Sequence, residues 1–288
     1  MRKALTTTTS NDVDLDLARQ TAVDAAQAAG AIIRQGLDGA LGARAKDASG
    51  DLVTDLDLAA ESLIVSRLRA EFPEHRIRSE EAGLLDGDDS WCWLVDPLDG
   101  TNNVAIGLRA CAVGIALCRD GLPLVGVVHD AVSGRTYSAI RDRGAFGPGG
   151  ELWCPPFRAT ESGGVLAWLQ GYGVARSDEH ARALRLTLER GSRRLVQLWA
   201  PLLCWVMLAR GDIEGFVGYR AGFVDLPAGS LIAREAGVRI VDFDGAPLDE
   251  GRQLDGDVDF VAGPAGAIPD LVVMVKAAQE VTVTGLTG

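Results

Sequence analysis

The chain has 288 residues, 47% of them hydrophobic, with a formal net charge of −12, enough apolar content for one large core or two joined ones. That charge argues against nucleic acid or an anionic membrane as partner, but not against a phosphorylated substrate if metal ions invert the local potential. Five cysteines without a CxxC pair, and no apolar run of signal-peptide or membrane-span length, make a reducing cytoplasm the expected location.

Residues 1–14 are polar and are expected to form a disordered tail. A first helix is predicted from about Leu15 to Gln35, with Ala18, Ala22, Ala25, Ala29 and Ile32 on one face. A second begins near Thr54 and carries Leu56, Ala60, Leu63, Ile64 and Leu68 towards Glu71, with Pro73 past its end and Asp57 in its first turn. Read alone, Thr54 is a cap, Ser79-Glu80-Glu81-Ala82-Gly83 is solvated surface, and residues 82–90 form a mobile acidic loop.

Trp91-Cys92-Trp93-Leu94-Val95 is an apolar run of strand length, expected to be buried on both faces. It leads into Asp96-Pro97-Leu98-Asp99-Gly100-Thr101, so two carboxylates sit where a strand ends, the usual place for ligands in open α/β sheets. Pro97 is expected to stop the strand ladder, and Gly100 to let the backbone approach a ligand. Asp96, Asp99 and the Leu98 carbonyl form an oxygen set suited to hard cations. The amides of Gly100 and Thr101 can receive an anion, especially if a helix starts there.

Ala112–Cys118 and Leu122–His129 predict a hairpin around Arg119-Asp120-Gly121, and Thr136–Ile140 and Ala145-Phe146 extend an antiparallel sheet. Pro155-Pro156 marks the expected boundary between an N-terminal α+β half (15–156) and a C-terminal α/β half (157–288). Beyond it, strands near Val165–Leu169, Ile213–Val217, Val238–Val241 and Phe260–Ala262 alternate with helices near Ser177–Glu189, Pro201–Ala209, Leu226–Ala236 and Ala267–Ala278. Gly222-Phe223-Val224-Asp225 repeats the earlier logic: a short apolar segment, a carboxylate, then a helix with proline in its first turn and glycine at its end. Taken alone, Asp225 is a helix cap.

Together, Asp51-Leu52-Val53-Thr54…Asp57, Glu80-Glu81, Asp96-Pro97-Leu98-Asp99-Gly100-Thr101-Asn102-Asn103 and Asp225…Ala228-Gly229…Glu235-Ala236-Gly237 resemble the inositol monophosphatase family of the magnesium-dependent, lithium-sensitive phosphatase superfamily. The resemblance runs from about Lys46 to Gly263. It implies a layered α-β-α-β-α sandwich of α/β (α+β) class, a homodimer, and a phosphomonoesterase acting on a polyol, sugar or nucleoside phosphate. It also implies that Glu80, Asp96 and the Leu98 carbonyl hold one Mg2+, that Asp96, Asp99 and Asp225 hold a second, and that a weaker third lies near Glu80. Thr101 would hydrogen-bond Asp57 and, with Glu80, orient the attacking water. The residue inventory suits this chemistry: metal ions neutralise a phosphate dianion that repels hydroxide, lower the pKa of a bound water and stabilise the departing alkoxide. Carboxylate-only ligation selects magnesium, or manganese as a substitute, over zinc.

The chain departs from the family on the substrate side. Gln197-Leu198-Trp199-Ala200-Pro201 stands where the family often has Ser-x-Gly-Ser-Ala, and Gly218 replaces an acidic residue that commonly holds a polyol hydroxyl, with Tyr219 and Arg220 close by. Val104 and Val224 replace aromatic residues. Two readings of this region stand side by side. Trp168, Gln170, Trp199 and Tyr219 line an aromatic pocket for a nucleoside, aryl or other extended leaving group, or Trp168 and Trp199 are core residues at strand ends. The rival activities are accordingly a nucleotide 3′-phosphatase or a biosynthetic phosphatase such as histidinol phosphatase. A rival of another class is a regulatory scaffold with weak catalysis.

Overall fold

The computed structural model describes residues 13–39, 42–45, 52–157, 163–222, 226–248 and 256–281. Small side chains let the first helix lie close against a sheet: in α1 (Leu15–Gly36), Ala18, Ala22, Ala25, Ala26, Ala29 and Ile33 have no exposed surface. Ile33, not the expected Ile32, continues the stripe, because it keeps the four-residue step from Ala29. The Asp14 side chain accepts the Asp16 and Leu17 amides as N-cap, so the folded chain begins inside the expected tail, whose residues 1–12 lie outside the described residues. The short pair β1 (Arg44–Ala45) and β2 (Leu52–Val53) precedes α2 (Asp55–Glu71), which packs beside α1 and opens with a Thr54–Asp57 capping box.

The next strands are β3 (His75–Ser79), β4 (Gly83–Leu85) and β5 (Asp88–Asp99). After α3 (Thr101–Ala105) come β6 (Ala112–Arg119), β7 (Leu122–Asp130), β8 (Arg135–Ile140), β9 (Ala145–Gly147) and β10 (Gly150–Leu152). They form one eight-stranded sheet in the order β10-β9-β8-β7-β6-β5-β3-β4, antiparallel except where β3 runs parallel to β5. As its apolar run requires, β5 is buried on both faces. Trp93 and Val95 point to α1 and α2, and Cys92 and Leu94 to the other side.

Two expectations fail here. Residues 82–90 are not a loop: the chain turns over residues 80–82, pairs from Gly83 as β4 with β3, and enters β5 at Asp88. Nor does Pro97 stop the ladder. Asp96 pairs with Gly114 and Asp99 with Ala112, so three steps on β5 oppose two on β6, and Pro97 sits inside this bulge, where the ladder does not depend on its missing N–H.

The later elements are β11 (Val165–Gln170), α4 (Glu179–Gly191), β12 (Arg194–Val196), α5 (Pro201–Arg210), β13 (Gly215–Ala221), α6 (Pro227–Glu235), β14 (Arg239–Val241), β15 (Val258–Gly263) and α7 (Ile268–Ala278). Their sheet runs β12-β11-β13-β15-β14, parallel through β13 and antiparallel beyond. Helices α5 and α6 fill the space between the sheets, where Trp205, Phe216 and Phe260 pack with ring centroids 4.9–5.1 Å apart. Helices α4 and α7 cover the outer face of the second sheet. The layers are therefore α-β-α-β-α, as the resemblance implies. No helix among the described residues is long and apolar enough to cross a membrane.

Candidate active site

The end of β5 is shaped by its bulge and by Gly100. Gly100 has φ +99°, and a Cβ there would also lie 2.7 Å from the Ala110 carbonyl oxygen, so only glycine fits. Asp96 Oδ1 accepts the Leu98 amide at 3.1 Å, which folds the Asp96–Asp99 loop on itself. Asp99 Oδ2 accepts the Leu202 amide at 2.7 Å. Leu202 is in the first turn of α5, where amides have no partner within the helix, so Asp99 joins the first sheet to the central helices. Both carboxylates are buried, Asp96 at 3% exposure and Asp99 at 6%.

Asp57 lies beneath this loop with no exposed surface. Its Oδ2 accepts the Thr54 amide at 2.8 Å and the Thr54 hydroxyl. Its Oδ1 accepts the Thr101 hydroxyl at 2.7 Å. The Thr101 Oγ1 is also 2.9 Å from the Leu98 carbonyl, but a hydroxyl has one proton, and the nearer, charged acceptor holds it more strongly. The box that starts α2 thereby fixes the hydroxyl that follows Gly100.

Glu80 follows β3, its amide donating to the Val95 carbonyl at 3.1 Å. The residue that shapes its turn is one the sequence reading passed over. Glu61, 7% exposed, accepts at Oε1 the Ser79 hydroxyl, the Glu81 amide at 3.0 Å and the Ala82 amide at 2.9 Å. Its available signal was position: an acid on the buried stripe of α2, beside Ala60 and one turn after Asp57.

A cleft of about 480 Å³ opens above these groups. One wall comes from the first sheet and α3: Glu80, Asp96, Leu98, Asp99, Gly100 and Thr101. The other comes from the second half and includes Gln170, Tyr172, Gln197, Trp199 and three arginines. The Asn102 side-chain amide donates to the Tyr172 hydroxyl at 3.0 Å, bridging the two walls. Asp225, like Lys46 and Asp51, lies outside the described residues. Among the described residues, no three acids, histidines or cysteines cluster closely enough to form a ready metal site.

Trp168 and Tyr219 are not on the cleft wall. Strand alternation places both on the outer face of the second sheet, with Leu166 and Val217, against α4 and α7. Trp168 is 1% exposed, and Tyr219 donates its hydroxyl to Asp178 Oδ2 at 3.3 Å and packs edge-on against His180. Burial first, and then the Asp178 charge, raises the Tyr219 pKa. Gln170, at the end of β11, does reach the cleft, as does Trp199 at 48% exposure. Cys111 and Cys204 lie near Asp99, and burial first, then the Asp99 charge, pushes both thiols up to about 12. They stay protonated at neutral pH and supply no nucleophile.

The sequence model of the inositol monophosphatase family matches residues 14–268. Inositol monophosphatase 1 of Solanum lycopersicum is 32% identical over 244 residues, 79% of this chain and 85% of that protein. Nus factor SuhB of Vibrio cholerae is 33% identical over 228 residues, 78% of this chain and 84% of that one. The solved structure of extragenic suppressor protein suhB from Bartonella henselae aligns with a TM-score of 0.80 at 25% identity, covering 90% of this chain and 98% of its own.

Proposed function

The chain belongs to the inositol monophosphatase family, phosphoric monoester hydrolases that act on small phosphorylated molecules, and from that premise we propose that it is a magnesium-dependent phosphomonoesterase acting in the cleft between β5 and β13. Glu80, Asp96, the Leu98 carbonyl, Asp99 and Asp225 would hold the metal. The donor set supports this: it is all oxygen, and two of its members, Asp96 and Asp99, are buried carboxylates at the edge of an open cleft, an arrangement a hard cation stabilises. When bound, magnesium neutralises the phosphate, acidifies a water and stabilises the leaving alkoxide.

The chain's own groups do the positioning. The Thr101 proton is committed to Asp57, so the Oγ1 lone pairs accept a hydrogen bond from the attacking water and, with Glu80, aim it at phosphorus. The amides of Gly100 and Thr101 donate to the phosphate oxygens. The Thr54–Asp57–Thr101 hydrogen-bond set, on the same wall as Glu80, is the observation that carries this reading.

Phosphate release from inositol, sugar, nucleotide, aryl and amino-alcohol phosphates, with magnesium and with EDTA, tests it. The expected result is release with magnesium only, lost in Asp96→Asn and inhibited by lithium at high magnesium. Likeness to proteins named Nus factor favours a second reading, a regulatory protein. Absence of release across the whole panel would transfer the main role to that reading. The family resemblance further supports a homodimer, and the five buried, unpaired cysteines support a reducing cytoplasm.

A further inference from the structure

The cleft wall supplied by the second half carries Arg176 in the loop after β11, Arg185 on α4 and Arg220 on β13, against one carboxylate among the described residues, Asp257. All three arginines are exposed, on a chain whose 28 basic residues are outnumbered by 40 acidic ones. The opposite wall holds Glu80, Asp96 and Asp99, so the cleft is acidic on one side and basic on the other.

Arg220 is placed at a cost in backbone conformation. Its φ is +47°, in the left-handed region that non-glycine residues rarely occupy and that persists only where the surroundings enforce it. The enforcement is visible. The β13–β15 register shifts between Gly218 and Ala221, and Asp259 Oδ1 accepts the Arg220 amide at 2.7 Å. Gly171 leaves room that a Cβ would fill, lying 1.7 Å from the Arg220 carbonyl oxygen. In unbroken alternation residue 220 would share the inner face of Phe216 and Gly218, closed to a guanidinium; the bulge brings it to the cleft edge, where the guanidinium lies 5.5 Å from the Tyr219 ring centroid. Gly218 cannot be the acid of the family pattern either, because a Cβ there would lie 2.2 Å from the Phe260 ring.

We infer that the natural substrate carries a second oxyanion, a phosphate or a carboxylate, on its leaving group, and that Arg176, Arg185 and Arg220 bind it. The inference rests on the phosphatase reading above. Guanidinium groups pair with such oxyanions through parallel N–H donors, and Trp199 and Tyr172 offer flat surfaces to the connecting skeleton. Three cations disfavour an amino-alcohol phosphate, and a neutral polyol monophosphate leaves them unused.

Four C6-phosphorylated sugars test this: glucose 6-phosphate, glucose 1,6-bisphosphate, 6-phosphogluconate and glucosamine 6-phosphate. Wild type is expected to show kcat/KM about tenfold or more higher for the two with a second anion than for glucose 6-phosphate, mostly through KM. The gap should narrow with added salt. Arg185→Ala and Arg220→Ala should each bring that ratio close to one. A preference for glucose 6-phosphate or glucosamine 6-phosphate, or a ratio unmoved in both variants, overturns the inference. Binding is read in parallel as the melting-temperature shift given by each ligand at equal concentration. Larger shifts with the two anionic ligands support the inference and equal shifts overturn it, even without turnover. Failure to release phosphate from the wider panel overturns the phosphatase reading instead.

Discussion

Glu61 touches no cleft surface, yet one of its oxygens receives three donors from the turn that carries Glu80. Removing that oxygen leaves the Glu81 and Ala82 amides without their acceptor in a partly buried place. Hydrogen bonds to a charged acceptor contribute about 1.5–3 kcal/mol each, net of the bonds to water that they replace. Glu61→Ala is therefore expected to lower stability by roughly 2 kcal/mol and to raise the magnesium concentration needed for half-maximal activity, because Glu80 loses its fixed place. Glu61→Gln keeps an acceptor oxygen and should recover most of both effects. Urea unfolding and a magnesium titration of activity check this pair; a Glu61→Ala variant that is destabilised but keeps the wild-type magnesium dependence would make Glu61 a structural residue only. The tie was not legible in the sequence, because Glu61 and the Ser79–Ala82 turn are eighteen or more residues apart and meet only through α2 packing on the sheet. The Asp57–Thr101 bond, forty-four positions apart, was accessible only through resemblance.

Helices and strands were legible where a single periodicity governed them. The alanine stripe of α1, the apolar run of β5 and the proline starts of α5 and α6 each follow from local pattern. Faces were harder. A strand buried on both sides carries no alternation to show which side meets a cleft, so the pattern leaves Trp168 open between wall and core and puts Tyr219 on the wall, whereas both belong to the outer core. The arginine wall escaped notice for a related reason: its members come from a loop, a helix and a bulge that only the fold assembles. The bulge itself depends on Gly171, whose α-carbon faces the Arg220 backbone. Gly171→Ala forces those two backbones apart, an overpacking expected to cost about 1–3 kcal/mol, and it moves the arginine. Thermal unfolding should show the loss of stability, and kinetics a weaker preference for doubly anionic substrates. A variant with wild-type melting and selectivity would mean that the bulge is not held by this contact.

At the scale of the whole molecule, two buried histidines make stability depend on pH. Burial first, offset in part by Asp88, holds His75 below its ordinary 6.5; burial, offset by Asp130, does the same for His129. Below about pH 6.5 the unfolded chain takes up protons at these positions that the folded chain refuses, so stability falls as the pH drops and levels off once the folded groups also titrate. Urea unfolding at about pH 7.5 and about pH 5.5 should show the decline, and His129→Asn should lessen it. A slope unchanged by that substitution would put the dependence elsewhere. The layers also account for the position of the cleft: Asp99 caps α5 from the first sheet, so the acidic and basic walls are held to one central helix layer. In the proposed reaction the Thr101 hydroxyl, fixed by Asp57, positions the attacking water. The direct measurement is steady-state phosphate release by magnesium-loaded wild type and Thr101→Val on the same substrate. Thr101→Val is expected to lower kcat by about 10²–10⁴-fold with KM little changed, and to melt at a lower temperature, because the buried Asp57 carboxylate loses one donor. A Thr101→Val enzyme that keeps wild-type kcat would contradict this positioning role.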